Sequence, residues 1–298
     1  MTAAAGAARY RALFERLRAG PAPRGALVPF VVLGDPDLET SLEVIRALLR
    51  GGADALELGL PFSDPVADGP VIQAAAVRAL AAGAAPARCW ELLARVRAEA
   101  PDVPLGLLVY ANLVVGPGLD RFYGRAAEAG VDSVLVADVP TLEAAPFVAA
   151  ARARGVAPVL IAPSNASDAR LDAIARDAEA YVYVVTRKGV TGADRELDLR
   201  DARALLARLR ARAAAPALLG FGISRPEHVR AALAAGAAGA ISGSAVVAHV
   251  ARFASGALDR PGLLAALEGF VAELAAATRP GPGGADAGAS ADRGGGAS

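Results

Sequence analysis

Hydrophobic positions along the chain gather into eight short blocks rich in Val, Ile and Leu. They read ALVPFVVLG (26–34), DALELGL (54–60), PLGLLVY (104–110), DSVLVAD (132–138), APVLIAP (157–163), AYVYVVT (180–186), PALLGFG (216–222) and GAISGS (239–244). Between them run Ala-, Leu-, Arg- and Glu-rich segments whose apolar residues recur at helical spacing, such as LETSLEVIRALLRGG and DARALLARLRARAA. Strand and helix alternate with no hairpin signal between them, which requires parallel strands joined by crossover helices. Eight such units in series predict a closed (β/α)8 TIM barrel, with an open doubly wound sheet as the structural alternative.

Three segments repeat at the helix-to-strand junctions: GGADAL (51–56), AGVDSV (129–134) and AGAAGAI (235–241). Each ends a helix at glycine, which supplies a left-handed cap, and enters a strand after a very short turn. The first twenty residues, MTAAAGAARYRALFERLRAG, spread arginines through an amphipathic pattern and predict an extra N-terminal helix rather than a signal peptide or membrane span. The last twenty, RPGPGGADAGASADRGGGAS, lack the apolar residues to build a core. The expected organisation is one barrel domain over 1–278 and a disordered tail over 279–298.

Composition narrows the function classes. At 298 residues the chain is 54% hydrophobic and 21% charged, and Lys+Arg equals Asp+Glu at 31 each, so no global field draws it to nucleic acid or an anionic membrane. A single cysteine, Cys89, excludes an intrachain disulfide and points to a reducing, cytoplasmic setting; beside Trp90 it reads as packing. The two histidines, His228 and His249, lie in predicted helices without metal spacing and are expected on the surface, so no metal is predicted.

The candidate chemistry begins at LELGLPFSDPVADGP (56–70). Alternation places Leu56, Leu58 and Leu60 against the helices, so Glu57 points into the barrel near the strand's C-terminal end, where active sites of this fold are built. Burial raises a carboxyl pKa toward values useful in acid–base work; a structural glutamate paired with an inward cation is the other reading. Asp68, on the loop that follows, returns to the same mouth, although an aspartate before glycine also suits a turn. After the seventh and eighth strands, Gly220-Phe221-Gly222-Ile223-Ser224 and Ile241-Ser242-Gly243-Ser244-Ala245 occupy the two loops that bind phosphate in such barrels. The loop 187–194, carrying Thr191 and Gly192, reads either as a closing lid or as a flexible connector. Tyr181, Tyr183 and Val185 share one face of the sixth strand, facing either the pocket or ordinary core.

Taken in order, LELGLPFSDPVADGP, YANLV (110–114), DSVLVADVP (132–140), GVTGA (189–193), GFGIS (220–224) and GAISGSA (239–245) resemble the tryptophan synthase α subunits over about residues 10–278. The resemblance implies a lyase that cleaves indole-3-glycerol phosphate by a retro-aldol route to indole and glyceraldehyde 3-phosphate. It implies Glu57 as acid and base, and Asp68 as acceptor of the indole N–H. Phe30, Leu108, Leu135, Ala137, Ile161 and Tyr183 match residues that hold the ring. Gly192, Phe221, Gly222, Gly243 and Ser244 match the phosphate side, and Thr191 the lid threonine that orders the loop aspartate. No cofactor is implied in this chain. Pyridoxal phosphate is expected in a β partner within an α2β2 tetramer, with Asp64 as an interface candidate. Alternatives are a stand-alone lyase releasing free indole, a phosphate-binding barrel of other aldol or isomerase chemistry, and a catalytically dead barrel that only activates β.

Overall fold

The computed structural model describes residues 5–185, 199–220 and 222–279. Eight parallel strands close on themselves in sequence order: β1 (Ala26–Val32), β2 (Leu56–Gly59), β3 (Leu105–Val109), β4 (Ser133–Val136), β5 (Ala157–Pro163), β6 (Val182–Val185), β7 (Ala217–Leu219) and β8 (Gly239–Ser242). The open-sheet alternative is thereby excluded. Helix α1 (Ala5–Ala19) precedes the barrel. Around it run α2 (Leu38–Arg50), α3 (Pro70–Ala81), α4 (Pro86–Glu99), α5 (Ala111–Val115), α6 (Leu119–Glu128) and α7 (Ala145–Ala153). They are followed by α8 (Asp168–Asp177), α9 (Arg200–Ala211), α10 (Pro226–Ala234), α11 (Ser244–Ala254) and α12 (Arg260–Ala276). The expected tail lies outside the described residues from 280 onward.

Register fixes which side chains enter the barrel. Phe30 pairs with Glu57, Glu57 with Gly106, Gly106 with Ser133 and Ser133 with Ala157, a run of positions that all face inward. Leu56 and Leu58 are buried on the opposite face, toward the helices, as alternation requires. The N-terminal end of the barrel is plugged by α1, whose Tyr10, Leu13, Phe14 and Leu17 form one buried stripe at helical spacing. Tyr10 accepts a 3.0 Å hydrogen bond from the Ser133 hydroxyl inside the barrel, and its ring lies 5.6 Å from that of Tyr181.

The helix-to-strand repeat has a structural counterpart. Gly52, Gly130 and Gly236 all adopt positive φ, at 98°, 79° and 100°, the conformation that only glycine enters freely. In two of the three copies an aspartate follows and ties neighbouring strands together. Asp54 accepts the Leu27 N–H at 2.9 Å and both terminal nitrogens of Arg24, while Asp132 accepts the Leu105 N–H at 2.8 Å and pairs with Arg9 and Arg97. Asp132 is buried, and burial is the main force lifting its pKa against these donors. Asp132→Ala strands the half-buried Arg97 charge and the Leu105 amide, so urea unfolding should show a loss of about 3–5 kcal/mol. A loss below about 1 kcal/mol, the range of exposed pairs, would mean the network is not stabilising.

One sequence expectation needs correction, and another stands. His228 and His249 are half-buried rather than on the surface. His249 packs its ring 5.1 Å from Phe270, because α11 is covered by α12, and burial holds its pKa below the usual histidine value, with Arg252 adding to that. Cys89 is fully buried with its thiol pushed up to about 12 by desolvation, which fits packing and not nucleophilic chemistry.

Candidate active site

Glu57 is the second of the four residues of β2 and is 1% exposed. Its Oε1 accepts a 2.6 Å hydrogen bond from the Tyr181 hydroxyl, which reaches it from just before β6. Burial raises the carboxyl to about 7; the Tyr181 hydrogen bond works against that rise and the nearby Asp68 adds to it. Among the described residues no cation pairs with Glu57, so the ion-paired structural reading loses its premise. Oε2 remains for a ligand.

Asp68 arrives on the loop between β2 and α3. That loop is shaped by the backbone bond from Asp68 N–H to Pro65 O (3.0 Å) and by the Gln73 side-chain amide, whose Nε2 donates to Asp68 O at 2.8 Å. The Tyr110 hydroxyl donates to Asp68 Oδ2 at 2.8 Å and accepts the Ala67 N–H at 3.1 Å, locking the loop to the end of β3. Phe62 stacks on the same tyrosine, with ring centroids 5.3 Å apart. Asp68 is 9% exposed, and burial raises its pKa against the Tyr110 hydrogen bond. Two carboxyl groups therefore face one space, each held by a tyrosine hydroxyl, with different degrees of burial pushing them apart.

That space is a cavity of about 40 Å³ whose walls include Phe30, Leu108, Tyr183, Ile72 and Ile241 besides the two acids. Ligand pockets commonly measure roughly 300–1,000 Å³, so this cavity is narrower than a two-ring substrate requires. Its far side is backbone: Gly220, Gly222 and Ile223 after β7, and Gly243 and Ser244 at the start of α11. A helix N-terminus beside glycine-flanked amides is a ready site for an anion. Gly220 is required by close approach, since a Cβ there would overlap the Tyr183 ring, whose hydroxyl donates to the Gly220 carbonyl at 3.0 Å.

Residues 17–278 match the family model described as tryptophan synthase alpha chain. The chain belongs to the tryptophan synthase alpha chain family. It is 55% identical over 272 residues to the alpha chain of Shewanella oneidensis, covering 91% of this chain and 96% of that one. It is 56% identical over 272 residues to that of Edwardsiella ictaluri, covering 91% and 99%. Among solved structures it is similar to the alpha subunit of Legionella pneumophila, with a TM-score of 0.80, 30% identity and coverage of 91% and 98%. It is also similar to a chain of the mutually activated tryptophan synthase α2β2 complex of Pyrococcus furiosus, with a TM-score of 0.74, 34% identity and coverage of 84% and 98%. The activity of this tryptophan synthase family, cleavage of indole-3-glycerol phosphate by a lyase, is thus the activity of the chain. The stand-alone lyase reading finds no support among these relatives.

Against the tryptophan synthase frame, most of the expected site residues meet at the cavity: Glu57, Asp68, Phe30, Leu108, Tyr183, Gly222, Gly243 and Ser244 all line it. Leu135 does not. It is buried on the inward face beside Leu108 but is not part of the wall. Ala137 and Ile161 open instead onto a neighbouring cavity of about 320 Å³ bounded by β4, β5 and α7. Ala137 lies beyond the end of β4, where the two-residue alternation no longer dictates its direction. Thr191, Gly192 and Phe221, with the lid loop 187–194, lie outside the described residues. Asp64 is exposed on the β2–α3 loop, accepting from the Ser63 hydroxyl. The sequence reading missed Tyr181 and Tyr110 as partners of the two acids. The signals present were the shared face of Tyr181 with Tyr183, and the tyrosine that opens YANLV.

Proposed function

We propose that Glu57 and Asp68 carry the cleavage, on the observation that one small cavity holds a fully buried carboxyl raised to about 7 beside a second, less buried one. Protonated Glu57 delivers its proton to indole C3. Positive charge grows on the ring nitrogen, and the Asp68 carboxylate, accepting the indole N–H, stabilises it. The Glu57 carboxylate then takes the proton of the side-chain hydroxyl. The bond from C3 to the side chain breaks, its electron pair returns to the ring, and indole and an aldehyde separate. Phe30, Leu108 and Tyr183 hold the ring; the amides of Gly222 and Gly243 and the start of α11 hold the phosphate. These proton transfers run between Glu57 and the substrate, with Asp68 stabilising the charge, and call on no cofactor in this chain.

This assignment sets the sign of a pH profile. Glu57 must start protonated, so kcat/KM falls as pH rises through about 7; Asp68 must start ionised, so it falls again as pH drops through a value that burial holds above the usual aspartate range. The bell reports the coupled pair. Tyr181→Phe removes the hydrogen bond that favours the ionised glutamate, so the descending limb should move to higher pH. A descending limb absent between pH 6 and 9, or unmoved in Tyr181→Phe, contradicts the role given to Glu57.

The partner surface lies on the same mouth. Val66, Val115 and Leu142 are 70%, 54% and 85% exposed, and they sit on the segments that follow the neighbouring strands β2, β3 and β4. Large apolar side chains displayed together are the mark of an association site, and this one flanks the Asp64 loop. We assign it to the β subunit, in which pyridoxal phosphate takes up the released indole within an α2β2 assembly. No described helix is long and apolar enough to cross a membrane, and with a single buried cysteine the chain suits the cytoplasm.

A further inference from the structure

Residues 222–225 lead into α10, and Gly222 has a φ of 75°. One peptide plane among them, the one linking Ile223 to Ser224, is held at both poles. Its carbonyl accepts a 2.7 Å hydrogen bond from the hydroxyl of Ser242, the fully buried last residue of β8. Its N–H points at His228 Nδ1, 3.3 Å away in the first turn of α10. The Ser224 hydroxyl lies 3.4 Å from the same nitrogen. The exposed Arg225 guanidinium stands 3.1 Å from Nε2. In this arrangement Nδ1 accepts the backbone amide of Ser224.

We propose that His228 and Ser242 form a two-sided clamp on the Ile223–Ser224 peptide and act as positioning residues for the phosphate of the substrate. This rests on the reading of Gly222, Gly243 and Ser244 as the phosphate side. The amides that meet the anion stand directly before the clamped plane, at a glycine whose dihedrals would otherwise be loose. A donor pre-set toward the anion binds it without the cost of ordering the loop at that moment. The clamp serves binding of the remote phosphate, equally present before and during the chemistry, so its loss is read in KM and not in kcat. A histidine at this helix position, reaching back to the amide before the helix, does what a glutamate does in a capping box, but here the held peptide belongs to the site.

The test is the dissociation constant of glycerol 3-phosphate for the full chain, by calorimetry, alongside KM and kcat for cleavage. His228→Leu should weaken binding about 3- to 10-fold, the span of one hydrogen bond, with kcat within about twofold. His228→Asn places Oδ1 where Nδ1 was and should restore affinity. Ser242→Ala should weaken binding similarly, and the double variant should fall short of the product of the two, since a plane freed at one pole gains little from the other. Equal affinity of the Leu and Asn variants, or strictly multiplicative losses, would overturn the clamp. Ser244→Asp separates the two levels. If it abolishes binding while His228→Leu and Ser242→Ala leave it unchanged, only the clamp fails; if Ser244→Asp itself binds normally, the phosphate reading fails first.

Discussion

Glu57→Gln lowers kcat for indole release by about 10²–10⁴-fold, the usual cost of losing a general acid–base. Glutamine keeps the length and polarity of the side chain, and its Oε1 still accepts the Tyr181 hydroxyl that now bonds the carboxyl at 2.6 Å. What it lacks is a proton to give to C3 and a carboxylate to take the hydroxyl proton back. Binding of the substrate analogue glycerol 3-phosphate, governed by the β7 and β8 loops, should stay within a few-fold of wild type. Thermal stability should hold, and above pH 7 it should rise relative to wild type, because the buried group no longer ionises. The sign follows from the raised pKa: the wild-type contribution is fully present below the unfolded value near 4.5 and is lost as pH climbs through about 7. Turnover persisting above about 1% of wild type would sink the assignment, since it lies outside the range for an acid–base residue.

The second large effect falls on the partner surface. Leu142→Glu places a charge on the most exposed of the three rim side chains, at the 3₁₀ turn Thr141–Glu143 after β4. If that side chain is an anchor in a desolvated contact, its replacement costs at least about 2 kcal/mol, or roughly a 30-fold weaker complex with the β subunit. Leu142 touches neither the cavity nor the core, so cleavage by the isolated chain should not change. The measurement is a titration of β against each chain, read as stimulation of indole release. Half-maximal stimulation at the same β concentration for both chains would remove Leu142 from the interface.

Much of the architecture was legible because parallel barrels impose a simple code. The two-residue alternation along 56–60 alone placed Glu57 inward, and the register with Phe30 and Gly106 bears this out. The glycine junctions gave the right turn conformation at Gly52, Gly130 and Gly236. The code weakens where strands end. Ala137, one residue past β4, and Ile161, near the end of β5, open to a different cavity from the one the family resemblance implied. Hydrogen bonds between distant strands carry no local signature at all. Tyr181 and Glu57 are 124 residues apart and Tyr110 and Asp68 are 42 apart, so neither pairing can be read from spacing. The half-burial of His249 likewise depends on where α12 lands on α11, which neither helix states by itself.

Indole release from indole-3-glycerol phosphate by the purified chain, with and without a tryptophan synthase β subunit, tests the whole account most directly. Slow release by the chain alone that rises sharply when β is added is the expected result. No release in either condition, or fast release that β leaves unchanged, would contradict it.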